Sequence, residues 1–78
     1  TSIRDELRSR HENSIRVITG LLEEGKEQGS IRKDADCEQT AWDLMAVYWA
    51  DDVAYMLGFD IRKQTEVMME RIIREITP

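Results

Sequence analysis

The sequence predicts an all-α fold of three helices, and three observations carry that reading. The only proline is the last residue, Pro78, so nothing interrupts a helix from within. No run alternates apolar and polar residues with period two. Apolar residues instead recur at helical spacing along the whole chain.

The first helix is expected over about residues 2–28. Ser2 and Asp5 form an S-x-x-D pattern whose side chains can accept from the orphan N–H groups of a first turn. On a helical wheel Ile3, Leu7, His11, Ser14, Ile15, Val17, Ile18, Leu21, Leu22 and Gly25 share one broad arc, and the opposite arc is charged. At 1.5 Å per residue such a helix is roughly 40 Å long. Gly20 and Gly25 each weaken it by about 1 kcal/mol relative to alanine, which predicts a bend or a close contact there. Gly29 then suits a left-handed C-terminal cap. Ile31, the lone apolar residue of the turn, is expected to plug it onto the core.

Asp36 and Gln39 make a second capping box for a helix over 37–57. Its apolar residues cover most of the circumference, which predicts burial on several sides. Ala46, Ala50 and Ala54 permit a close neighbour; Trp42, Met45, Trp49 and Met56 form a bulky face, and Leu44, Tyr48 and Tyr55 another. Gly58 should end this helix and Asp60 should cap the third, over 60–76. There Ile61, Thr65, Met68, Met69, Ile72, Ile73 and Ile76 lie on one stripe, with most charges outside it.

Seventy-eight residues allow one small domain, 1–78. A monomer of this size buries only about 60% of its unfolded surface and needs a staple. Cys37 is the only cysteine, so neither an internal disulfide nor a zinc site is available. Self-association into a helical bundle is the remaining staple. A first residue of Thr1 rather than Met suits a fragment or a processed segment. The net charge is −5, and its 11 basic residues form no stripe with interleaved aromatics, which excludes nucleic-acid binding by these residues alone. No signal peptide is visible. The longest apolar stretch is broken by Asp43, Asp51 and Asp52, so no membrane span is expected and a reducing cytoplasm is the plain reading.

The segment LLEEGKEQGSIRKDAD, followed by TAWDLMAVYWADDVAYML, resembles the C-terminal half of TetR-family transcriptional repressors. The resemblance rests on an E-x-G-x-x-x-G-x-I-R-x-D-x-D pattern at Glu23, Gly25, Gly29, Ile31, Arg32, Asp34 and Asp36, and covers roughly the last two-thirds of the chain. It implies a three-helix fragment of the effector-binding and dimerisation domain of a repressor, without its DNA-binding helix-turn-helix. It also implies that the last two helices pair with their mates in a four-helix interface, and that a small effector binds among the helices. DNA would then be reached only through a missing N-terminal domain. The alternative is a free-standing helical homodimeric assembly module with no ligand. An enzyme ranks third, because no nucleophile, acid–base pair or metal set stands at a productive spacing, and no cofactor is expected.

Site candidates follow from burial patterns. His11, Tyr48, Trp49 and Asp52 are the candidate lining of a ligand pocket between helices one and two, for an apolar or cationic effector. His11 is read more readily as a hydrogen-bonded core histidine than as a ligand or base. Asp52 meets a cation, pairs with an arginine, or faces solvent. Ala46, Ala50, Val53, Met68, Met69, Ile72, Ile73 and Ile76 are the candidate dimer interface. The methionines are read as core filling before a pliable pocket. Cys37 lies in a first helical turn, where the helix dipole lowers a thiol pKa.

Overall fold

The computed structural model describes residues 2–78 and is all-helical. Helix α1 spans Ile3–Glu27, α2 Cys37–Met56 and α3 Arg62–Ile76. The boundaries follow from local chemistry. Ser2 Oγ accepts from Asp5 N–H at 3.1 Å, and Asp36 Oδ1 accepts from Gln39 N–H at 3.0 Å, each satisfying an orphan donor of a first turn. The return arm of the second box is diverted: Gln39 Nε2 donates to Asp43 Oδ1 at 2.9 Å. Helix α3 begins two residues later than its spacing suggests, because Asp60 stands outside the helix and Ile61 flanks it. From there Asp60 Oδ1 accepts from Arg62 N–H at 3.1 Å.

Helices α1 and α2 end alike. Gly29 and Gly58 both take φ of +81°, a left-handed conformation that glycine adopts without steric cost. After α1, Ser30 N–H bonds back to Gly25 C=O at 2.9 Å and Gly29 N–H to Lys26 C=O at 3.2 Å. After α2, Phe59 N–H bonds to Ala54 C=O at 2.8 Å and Gly58 N–H to Tyr55 C=O at 3.0 Å. These are two Schellman caps, which satisfy carbonyls that a helix end otherwise leaves open.

The close contact expected near the two mid-helix glycines falls to one of them. A Cβ on Gly25 would meet Ile31 Cδ1 at 2.8 Å, so Ile31 folds directly over the bare backbone of the helix that precedes it. Gly20 faces open space. The turn then continues to the far end of the chain. Arg32 N–H donates to Ile76 C=O at 2.8 Å, and the Arg32 guanidinium, held by Asp34 at 3.0 and 3.1 Å, reaches Glu75 C=O at 3.5 Å. A cation therefore sits at the carbonyl end of α3, where the helix dipole favours it.

Helices α1 and α3 each pack on α2 and do not touch one another. The result is a layer of 38 × 35 × 13 Å with α2 as its central rib. Its radius of gyration is 14.3 Å, against about 11.5 Å for a compact chain of this length. The buried residues lie along the two flanks of α2. Ile15, Ala41 and Met45 form the centre of the α1–α2 contact, with Ile18, Leu22 and Trp49 around them. Val47 and Ala54 are buried as well, whereas α3 has no buried residue. The expectation that α2 is buried on several sides is therefore only half met within one chain. Trp42, Tyr48, Val53, Tyr55 and Met56 stay exposed, because two neighbours cover two flanks and leave both faces of the layer open. No helix among the described residues is long and apolar enough to cross a membrane.

Candidate functional site

The antiparallel pairing of α1 and α2 brings His11 opposite Trp49, which is next to Tyr48 in sequence and about one helical turn before Asp52. These four candidate residues line one open groove of about 420 Å³, floored by Ile18 and Met45. That volume lies within the range of about 300–1,000 Å³ usual for small-molecule sites. Trp49 Nε1–H donates to His11 Nδ1 at 3.2 Å, and the two rings meet edge to face, 5.6 Å apart at 67°. The bond needs a lone pair at Nδ1, so the imidazole meets the indole through its bare nitrogen. His11 is thus the hydrogen-bonded, half-buried histidine of the plainer reading, and it anchors Trp49 across the helix pair. Trp49 in turn contacts Trp42 one heptad earlier on α2, with centroids 6.1 Å apart at 62°.

The other polar groups of the groove divide into satisfied and free. Ser14 Oγ donates to Arg10 C=O at 3.1 Å, within its own helix. Asp52 is exposed, the solvent-facing one of its three readings. Exposure leaves its carboxylate hydrated, with no desolvation penalty to offset. The groove therefore offers aromatic and aliphatic walls with a carboxylate at the rim.

A second groove of about 400 Å³ lies between α2 and α3 and shares Tyr48 with the first. Thr65, Met69 and Ile73 form its α3 wall, with Val47 and Asp51 on α2 and Glu66 and Glu70 at its edge. Sequence reasoning placed these α3 residues on one stripe and assigned Met69 and Ile73 to a dimer contact. The available signal was their i, i+4, i+8 spacing opposite an exposed tyrosine.

The candidate dimer residues separate into two groups. Met68, Met69, Ile72 and Ile76 are half-buried, since their stripe is the side of α3 that packs on α2. Ala46, Val53 and Ile73 are exposed, and Ala50 is half-buried.

Three titratable groups depart from their ordinary values, and two of them are a pair: the Asp60 carboxylate bonded to it raises Arg62. Asp60, whose carboxylate receives the Arg62 guanidinium at 2.8 Å, is lowered from 3.8 to about 2 by that bond and by the Arg62 backbone N–H. Cys37 goes the other way, and this corrects the dipole argument. Burial pushes the thiol up, the adjacent Glu23 carboxylate adds to it, and Lys26 opposes only in part. Desolvation of a thiolate outweighs the partial charge of a helix end here. Among the described residues no group of three or more His, Cys, Asp or Glu side chains is placed to hold a metal ion.

Comparison with protein-family models, with curated proteins and with solved structures finds no match to this chain.

Proposed function

We propose that these 78 residues are the homodimerisation and effector-binding part of a TetR-like transcriptional repressor, acting in the cytoplasm. In this reading DNA is contacted through a helix-turn-helix domain outside this sequence. The observation that carries the proposal is the single-layer arrangement, in which an apolar central helix is covered on its flanks and bare on its faces. The chain exposes 6356 Å², against about 4,900 Å² for a compact monomer of its mass. The excess of about 1,500 Å² per chain is what one side of an obligate interface covers, since such interfaces bury about 2,000–5,000 Å² in total. The joint at Glu23–Asp36 supports the family part of the reading, because each glycine and the Ile31 and Arg32 of its pattern have a defined role in turning α1 onto α2 and fixing the end of α3. The α1–α2 groove supports the effector part: it has aromatic walls, an open mouth and one unpaired carboxylate, suited to a small apolar or cationic compound.

Sedimentation equilibrium at micromolar concentration tests the dimer, and a folded monomer at every concentration sinks it. An electrophoretic shift at low salt tests the division of labour. A chain of net charge −5 should leave a random duplex unshifted, and salt-sensitive binding overturns that claim. The effector is tested by tryptophan fluorescence, since Trp49 lines the groove. Tetraphenylphosphonium and a neutral aromatic of similar size are titrated into wild type and Asp52→Asn. Loss of cation affinity in the variant, with the neutral compound unaffected, is the expected result; equal affinities for the cation refute the carboxylate's role.

A further inference from the structure

We propose that the second copy of this chain docks along one particular seam of α2, formed by Trp42, Ala46, Trp49, Val53 and Met56. This rests on the dimer reading above and assigns the surface that makes it. The five positions step by four, three, four and three residues, the mean period of 3.5 that keeps a row of side chains facing one partner helix along its length. None of them is charged. The T-shaped Trp42–Trp49 contact shows that the row lies on one face of the helix in fact. The row is also uncovered: Val53 is 55% and Met56 82% exposed, and Trp42 and Ala46 are exposed as well. Trp49 is held in place from below by His11, so the middle of the seam is already fixed in a single chain.

The charge distribution says why this face and not the opposite one. Residues 37–61 contain Glu38, Asp43, Asp51, Asp52 and Asp60 and no Lys or Arg, so the whole net charge of −5 falls within α2 and the turn after it. A helix this acidic can meet its own copy only where it carries no carboxylate. The row on the other face of α2 has the same spacing, half-buried Leu44 followed by exposed Tyr48, Asp51 and Tyr55, but an isologous contact there would desolvate Asp51 of both copies against each other. In the seam, Ala46 has the smallest side chain and lets the two helices approach at that point, while the tryptophans on either side supply most of the buried area. Asp43 and Asp52 border the seam and remain hydrated at its rim.

Two measurements decide it. First, wild-type protein is taken through a dilution series, with mass followed by sedimentation and indole environment by emission wavelength and acrylamide quenching. The halving of mass and the red shift of tryptophan emission should share one midpoint. Second, Val53→Glu is compared with Tyr55→Glu, whose parent side chain is 84% exposed on the other face. Glutamate in the seam should raise the dimer dissociation constant by roughly a hundredfold or more, while Tyr55→Glu leaves it within a few-fold of wild type. If the mass halves with no change at the tryptophans, or if Tyr55→Glu dissociates the dimer and Val53→Glu does not, the seam is wrong and the dimer reading stands. If the wild type is a monomer throughout, the dimer reading fails with it. Should Val53→Glu lose its helix signal, the wild-type dilution experiment decides alone.

Discussion

Gly25→Ala isolates the joint between α1 and α2 and can be worked through in numbers. In an open helical position this change stabilises by about 1 kcal/mol, because alanine loses less backbone entropy than glycine. At Gly25 the new methyl would lie 2.8 Å from Ile31 Cδ1 and 3.2 Å from both Ile31 Cγ1 and Ser30 Oγ. Ile31 must therefore move, and inserting a methyl group into packed surroundings costs about 1–3 kcal/mol. The two effects sum to a net destabilisation of about 0–2 kcal/mol. Gly20→Ala is the internal reference, since its Cβ meets nothing within 4 Å and should show the full gain of about 1 kcal/mol. The cycle is closed with Ile31→Ala. Once the isoleucine is gone, Gly25→Ala should recover the propensity gain, giving a coupling of about 1–3 kcal/mol between the two positions. Urea unfolding followed by circular dichroism at one fixed protein concentration supplies the four stabilities of the cycle and that of Gly20→Ala, the concentration being held fixed because any association adds to stability by mass action. If Gly25→Ala stabilises as much as Gly20→Ala in the wild-type background, Ile31 does not seal the joint and the reading of the motif is wrong.

Three further outcomes follow from the same geometry. The Asp60 carboxyl, followed by NMR, should titrate near 2, and Arg62→Gln should return it toward 3.8; because the folded value is depressed, the stability it contributes is present above the ordinary carboxylate pKa and disappears as pH falls through about 2. Cys37, buried and with its thiol pushed up by burial, should react with iodoacetamide far more slowly in the folded chain than in urea, and equal rates would show that the first turn of α2 is open. Arg32→Ala should release the end of α3, seen as faster amide exchange in the last turn around Ile73–Ile76 with α1 unaffected; unchanged exchange there would mean that the guanidinium adds nothing beyond the 2.8 Å backbone bond from Arg32 to Ile76.

Helix count, caps and stops were legible because each depends on residues within about four positions of one another. Ser2, Gly29, Asp36 and Gly58 act where their local sequence places them. What failed locally did so through competition. The Gln39 side chain turns to donate to Asp43 instead of reaching back to accept from the Asp36 N–H, and Asp60 acts from outside the helix because its own carboxylate engages Arg62. The α1–α2 groove was legible because antiparallel helices joined by a short turn have a fixed register: pinning Gly25 under Ile31 sets His11 opposite Trp49. The groove beside α3 was not, since its register depends on the Arg32 clip, a contact between residues 44 apart in sequence.

Helical periodicity records how apolar a face is, not what covers it. For α2 the pattern was read as burial on several sides, and one chain supplies cover for the flanks only. Ala41 is fully buried against α1 and Ala54 is buried at the end of α2, where its carbonyl accepts from Phe59 N–H, whereas Ala46 stands in the open. Alanines at Ala46, Ala50 and Ala54 therefore serve different neighbours although they fall on one i, i+4 series, because that series drifts by about 40° per step around the helix while a packing flank stays in place. The row that steps by four and three does not drift in the same way, and it is the row on which Trp42 and Trp49 meet. An i, i+4 alanine series and a row that steps by four and three thus diverge around the same twenty residues. The charges obey the same division: the five carboxylates of residues 37–61 avoid the seam and fall on the open face, the ends and the rim.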